Sequence, residues 1–182
     1  MASRLPELKY EDMTPEQQKA YDLIGSTRNG NVNGPFPAWI RNPELCFRIQ
    51  SVSDVLRSNS TLGKQLFEAV TIVVARHMNA KYMWGAHSGF AMKAGLPEQI
   101  VDDINSGRKA VFPTEKEQLV YEVADTLAAG QTLPIELYNR AVEVLGYDVL
   151  IEVATDVGFY DMIACVLNTF DVQPLPGTLP LK

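Results

Sequence analysis

Cysteine and histidine are both scarce in this chain, two of each in 182 residues. Cys46 and Cys165 show no C-x-x-C spacing, so the sequence offers neither a disulfide framework nor a thiolate metal clip, and each reads as a small buried hydrophobe. His77 and His87 lie ten residues apart with no third ligand at a zinc-like spacing, and no metal site is expected. No apolar run reaches the roughly 18 residues of a membrane span, and the opening MASRLPELKYEDM has no apolar signal core. A soluble, cytoplasmic protein with no membrane partner is the expectation. Positive charge is in deficit at a net −6, which argues against nucleic acid, a partner that requires a basic face. The same acidic surface repels anionic ligands, so a carboxylate would need a local cationic pocket. Convincing strands are missing too, and with them any Gly-rich phosphate loop or dinucleotide fingerprint that follows a strand; no cofactor is expected.

What is present is helix punctuation. Thr14, Pro15 and Gln17 form an N-cap, a first-turn proline and a capping box, with Gly25 as the stop. Arg28 to Pro37 is rich in Gly, Asn and Pro and reads as a loop. Asn42-Pro43-Glu44 opens a second helix, in which Leu45, Ile49, Val52, Val55 and Leu56 are spaced as one buried stripe, closed by Asn59-Ser60. A central helix pair ends at Gly95, and Pro97 starts a short helix to about Ser106-Gly107. Thr114 to Glu117 is another capping box, opening a helix to about Ala129. Pro134 opens the next, ended by Gly146, and Tyr147 to Phe170 reads as a long apolar helix with Gly158 as a close-packing point. Gln173 to Lys182 holds three prolines and a glycine and is extended. The fold class is therefore all-α, seven or eight helices, without internal repeat. Val149 to Val166 and Leu66 to Val74 are apolar on nearly every side, the mark of a central helix or of a subunit interface; a homo-oligomer is expected, with the tail free to wrap a neighbour.

The central pair carries the chemistry. Glu68 is a lone carboxylate in an apolar run eleven residues before the turn at Asn79, and His87 follows that turn by eight. At about 1.5 Å per residue the two reach similar heights on antiparallel helices and can meet across the seam. A buried carboxylate beside an imidazole is suited to proton transfer, since imidazole changes charge near neutrality. A histidine that merely hydrogen-bonds its core neighbours is the bland reading of the same spacing. Tyr82 and Trp84 can wall a pocket, Arg41 or Arg48 can bind a substrate carboxylate, and Tyr160 can donate a hydrogen bond into the site. Arg76 reads as a structural ion-pair partner.

Phe67 to Arg76 (FEAVTIVVAR), Tyr82 to His87 (YMWGAH) and Ala91 to Leu96 (AMKAGL) together resemble the carboxymuconolactone decarboxylase family. That family shares its helical fold with the alkylhydroperoxidase D-like proteins. Its pattern is E-L-x-x-L-x-V-A-R, then Y-E-W-x-x-H, then A-x-x-A-G-L. The likeness extends upstream through Gly34-Pro35-Phe36 and Arg41 to Leu45, and downstream through Leu167 to Val172. The resemblance implies a single domain over residues 1–182, with an N-terminal helical extension over 1–60, a helical core over 61–172 and an extended tail over 173–182. It also implies a trimer or hexamer. The implied activity is a cofactor-independent lyase, or related proton-transfer enzyme, acting on a small cyclic or aromatic-derived acid or lactone, with His87 as general acid/base beside Glu68. Two departures stand out. The peroxidase branch carries E-x(11)-C-x(2)-C-x(3)-H, and its two cysteine positions fall here on Ala80 and Met83, which have no thiol chemistry. Met83 also replaces the Glu of Y-E-W. Two rival readings remain open: a non-catalytic oligomer that binds a small ligand, or a peroxidase or reductase using Cys46 and Cys165.

Overall fold

Side-chain caps start three of the helices. In a computed structural model describing residues 3–182, Thr14 Oγ1 accepts from Gln17 N–H while Gln17 Oε1 accepts from Thr14 N–H, and Thr114 and Glu117 repeat the pairing. Asn42 Oδ1 caps a helix whose first residue is Pro43. The described residues form eight α-helices: α1 Pro15–Thr27, α2 Phe36–Trp39, α3 Pro43–Ser58, α4 Gly63–His77, α5 Lys81–Lys93, α6 Glu98–Asn105, α7 Glu115–Ala128 and α8 Ile135–Thr169. A 3-10 turn, Tyr10–Asp12, precedes them, and the described residues contain no strand.

α4 is the centre of the bundle. Every residue from Leu66 to Ala75 is buried, and the helix packs against α5, α7 and α8. Asn79, at φ 49°, turns the chain between α4 and α5, with Ala80 N–H donating to Ala75 O at 2.9 Å. α5 then runs back along α4. α8 is broken at Gly146, whose φ of 75° and ψ of 169° no helix contains, into two helical arms, as expected around this residue. Past the bend, Val153, Val157, Tyr160, Ala164 and Leu167 face inward.

Several expectations need correction. Phe36–Trp39 is a helical turn inside and beyond the expected loop, because Phe36 and Trp39 pack edge to face at 5.7 Å and anchor it. On α3 the buried side is Cys46, Ile49, Gln50, Ser53 and Leu56, whereas Leu45, Val52 and Val55 are exposed. The stripe therefore lies about a quarter-turn from the most apolar line. Cys165 is exposed, not buried. Gly158 faces open space: a Cβ at this position would meet no atom within 4 Å, so nothing in the chain packs closely on it. The long arm of α8, apolar in composition, exposes Tyr147, Ile151 and Met162. The tail lies on its own chain: Asn105 Nδ2 donates to Pro180 O, Lys182 N–H donates to Asn105 Oδ1, and Thr178 packs on Gly85.

Candidate active site

The α4–α5 seam brings Glu68 and His87 together. His87 Nδ1 lies 2.7 Å from Glu68 Oε2, with side chains 13% and 3% exposed. Such a contact needs one proton between the two atoms. When Nδ1 donates it, Nε2 carries a lone pair in the neutral ring or a second proton in the imidazolium, on a side chain that lines a cavity. The ring is fixed from the sides as well. Phe90 meets it edge-on at 5.7 Å and Tyr160 at 5.4 Å, and Tyr160 in turn packs on Phe67.

The cavity measures about 80 Å³. Tyr82, Met83 and His87 of α5, Phe159 and Tyr160 of α8, Phe36 and Trp39 of α2, and Ile49, Gln50 and Ser53 of α3 line it, with Arg28 and Arg57 also in its wall. Most of this lining is apolar, which strengthens any electrostatic interaction inside. An engineered protein cavity of ~150 Å³ accepts benzene, so a ring-sized ligand here requires the wall to part slightly.

Of the six site residues expected from the sequence, Glu68, His87, Tyr82 and Tyr160 converge. Trp84 does not line the cavity. It is 0% exposed in the core, because one residue beyond Met83 the helix has turned by about 100°. Arg41 lies elsewhere too, donating to Pro37 O and Pro6 O and opening onto a separate groove that shares Tyr82. Arg48 pairs with Glu44 on the surface. Arg76 donates to the Asn105 carbonyl and makes no ion pair with Glu68, and His77 bonds Asp125. Arg76 and His77 line a larger cleft of about 760 Å³ whose other charges are mostly ion-paired, among them Arg108 with Asp102 and Arg140 with Glu115. Among the described residues no three or more His, Cys, Asp or Glu side chains group to hold a metal ion, and no helix is long and apolar enough to cross a membrane.

The structure adds residues that sequence reasoning missed. Arg28 sits 4.3 Å over the Phe36 ring, and burial together with the neighbouring Arg57 charge pulls its pKa below the usual guanidinium range. Gln50 is 3% exposed; its Nε2 donates to Asp54 while its Oε1 has no partner. Asp156, on α8 one turn before Tyr160, is 0% exposed with neither oxygen partnered. Burial, and then the nearby Glu152 charge, push its pKa to about 8. Burial also raises Tyr160 well above the usual phenol range. The signal for Asp156 was in the sequence, a carboxylate between Val153 and Val157, the same kind of signal that marked Glu68. For Arg28, in a loop, there was none.

The helix order and packing decide the comparison with solved structures. The fold is that of the alkylhydroperoxidase D core. A peroxidase-related protein from Ralstonia eutropha JMP134, an alkylhydroperoxidase AhpD core, superposes with a TM-score of 0.76 at 15% identity, over 97% of this chain and 94% of that one. The debrominase Bmp8 is similar as well. Its cysteine-to-alanine variant in complex with 2,3,4-tribromopyrrole gives 0.74 at 14% identity over 95% of this chain and 91% of that one. The apo form gives 0.73 at 14% identity, over 97% and 92%. No family model and no curated protein matches the sequence. At these identities the likeness to the AhpD core is one of fold.

Proposed function

We propose that this chain is a cofactor-independent enzyme of the decarboxylase type, acting by proton transfer on a small cyclic or aromatic-derived acid or lactone. The observation that carries the reading is the 2.7 Å contact between His87 Nδ1 and Glu68 Oε2 beside a small, mostly apolar cavity. Loss of carbon dioxide from such an acid breaks a C–C bond and leaves the electron pair as a dienolate-like anion. Catalysis then consists of stabilising that charge and delivering one proton to carbon. In this reading His87 enters as the imidazolium, with a proton on each ring nitrogen: Nε2 delivers its proton to carbon and regains one from water, while Glu68 holds the ring in place and balances its charge. Tyr82 and Tyr160 wall the ring of the substrate and exclude water.

No observation favours thiol redox chemistry here. Ala80 and Met83 occupy the positions where the peroxidase branch has its cysteines, and both are buried. Cys46 and Cys165 are both free, and burial raises the Cys46 thiol, which disfavours a thiolate. The experiment is His87→Ala, assayed by carbon dioxide release and product formation across a panel of small cyclic acids and lactones. Turnover falls by about 10²–10⁴-fold while circular dichroism stays that of the parent. A folded variant with undiminished turnover removes the reading.

A further inference from the structure

Resting on the reading of the His87 cavity as the substrate site, we propose that Arg28 and Arg57 form its anion subsite, so that the substrate is a small-ring carboxylate held by these two guanidiniums with its ring over His87. Two cations line the wall of one mostly apolar cavity. Neither forms an ion pair with any carboxylate among the described residues; Arg28 Nη1 donates to the Thr27 hydroxyl instead. Asp54 attracts Arg28 without pairing with it, its carboxylate accepting from Gln50 Nε2 at 2.6 Å. In a chain of net charge −6, two guanidiniums without an ion-pair partner at one cavity concentrate positive potential there.

The chemistry of the wall points the same way. Arg28 is half-buried and stacked on Phe36, and Arg57 repels it, so the opposite charge of a bound anion would offset both the desolvation and the repulsion. Arginine presents its donors in a planar fork that matches a carboxylate with two parallel hydrogen bonds. A second, independent observation marks a polar ligand: Gln50 Oε1, in the same wall and buried, has no donor. A hydroxyl or enol on the ligand supplies one, and a buried acceptor left without a partner costs about 1–3 kcal/mol. The two arginines are also the lining side chains with the longest flexible stems, so they are the part of the wall that can move to admit a ring. A neutral lactone gains nothing from this pair, which separates the acid from the lactone among the possible substrates.

The test is calorimetric binding of benzoate and of benzamide, its uncharged analogue of the same shape, to the full chain. The variants are Arg28→Gln, Arg57→Gln, the double variant and, as a control outside the cavity, Arg41→Gln. Wild type and Arg41→Gln bind benzoate at least about tenfold more tightly than benzamide, each single variant loses about three- to tenfold in benzoate affinity, and the double variant shows no preference. Arg28→Lys, which keeps the charge, retains part of the preference and guards against a folding artefact. No preference in wild type, a preference that survives in the double variant, or one lost in Arg41→Gln overturns the proposal. His87→Ala distinguishes this from the catalytic reading: arginine-dependent benzoate binding with turnover unchanged in His87→Ala leaves the subsite and sinks the enzyme mechanism. Lost turnover with arginine-independent binding does the reverse.

Discussion

Tyr160 stands edge-on to His87, ring centroids 5.4 Å apart and planes 79° from each other, and so blocks the imidazole from swinging off Glu68. The clamp comes from a helix far away in sequence, and its contribution is one of shape. Tyr160→Phe keeps the ring and costs about 1 kcal/mol of stability, with turnover within about tenfold of the parent. Tyr160→Ala removes the wall, costs about 3–5 kcal/mol in chemical denaturation and lowers turnover further. Equal turnover in the two variants would show that the ring does not hold the imidazole.

Glu68→Gln separates charge from shape. The amide fills the same space and can still accept a hydrogen bond from His87 Nδ1, so thermal unfolding changes little. The carboxylate no longer holds His87 as the imidazolium that donates the proton, and kcat falls by about 10²-fold or more with a small change in KM. A rise in KM with kcat intact would instead assign Glu68 to ligand binding.

Asp156 makes stability depend on pH. Its folded-state pKa of about 8 lies above the ordinary value of 3.8, so the folded form holds the proton more tightly than the unfolded chain. The unfolded chain therefore releases its proton first as pH rises, and stability is full below the ordinary value, declines through the window up to about pH 8 and is flat above it. The loss across that window is on the order of a few kcal/mol. Asp156→Asn removes the slope and leaves a variant more stable than the parent near pH 8 but similar to it near pH 4. Urea midpoints measured across the window check this, and parallel curves for the two proteins would refute it.

Gly85 is the seat of the tail. A Cβ there would meet Thr178 Oγ1 at 2.6 Å and Thr178 Cβ at 3.1 Å, and Thr178 is itself tied to Leu175 O. Gly85→Ala therefore pushes residues 174–182 off α5, costs about 1–3 kcal/mol and raises amide exchange in the tail. Unchanged exchange would mean that the segment is held by Asn105 and by the Lys182 contacts to Asp102 and Ser106.

The legible parts of this protein were those written in local chemistry. Thr14, Asn42 and Thr114 announced helix starts because their side chains bond the free N–H groups of the next turn, a pattern confined to four residues. Gly146 announced the bend of α8 because its positive φ is one that side chains resist. The α3 stripe was misread because periodicity locates an apolar line but not the neighbour that covers it: α1, α2 and the cavity took the side of Cys46, Gln50 and Ser53, leaving Val52 and Val55 in solvent. Trp84 was misplaced for a related reason, since adjacent positions on one helix face different surroundings and only packing says which surrounding is a cavity.

By itself the sequence determined an all-helical bundle and the meeting of Glu68 with His87, because both follow from short-range geometry: helix rise, a turn at Asn79 and two side chains at matching heights. Tertiary structure alone decided that Arg28 and Arg57, not Arg41, line the same cavity, that Tyr160 closes on the imidazole, and that Asp156 is sealed from water without a partner. These are contacts between residues tens of positions apart. They depend on how whole helices pack, and no local pattern encodes that.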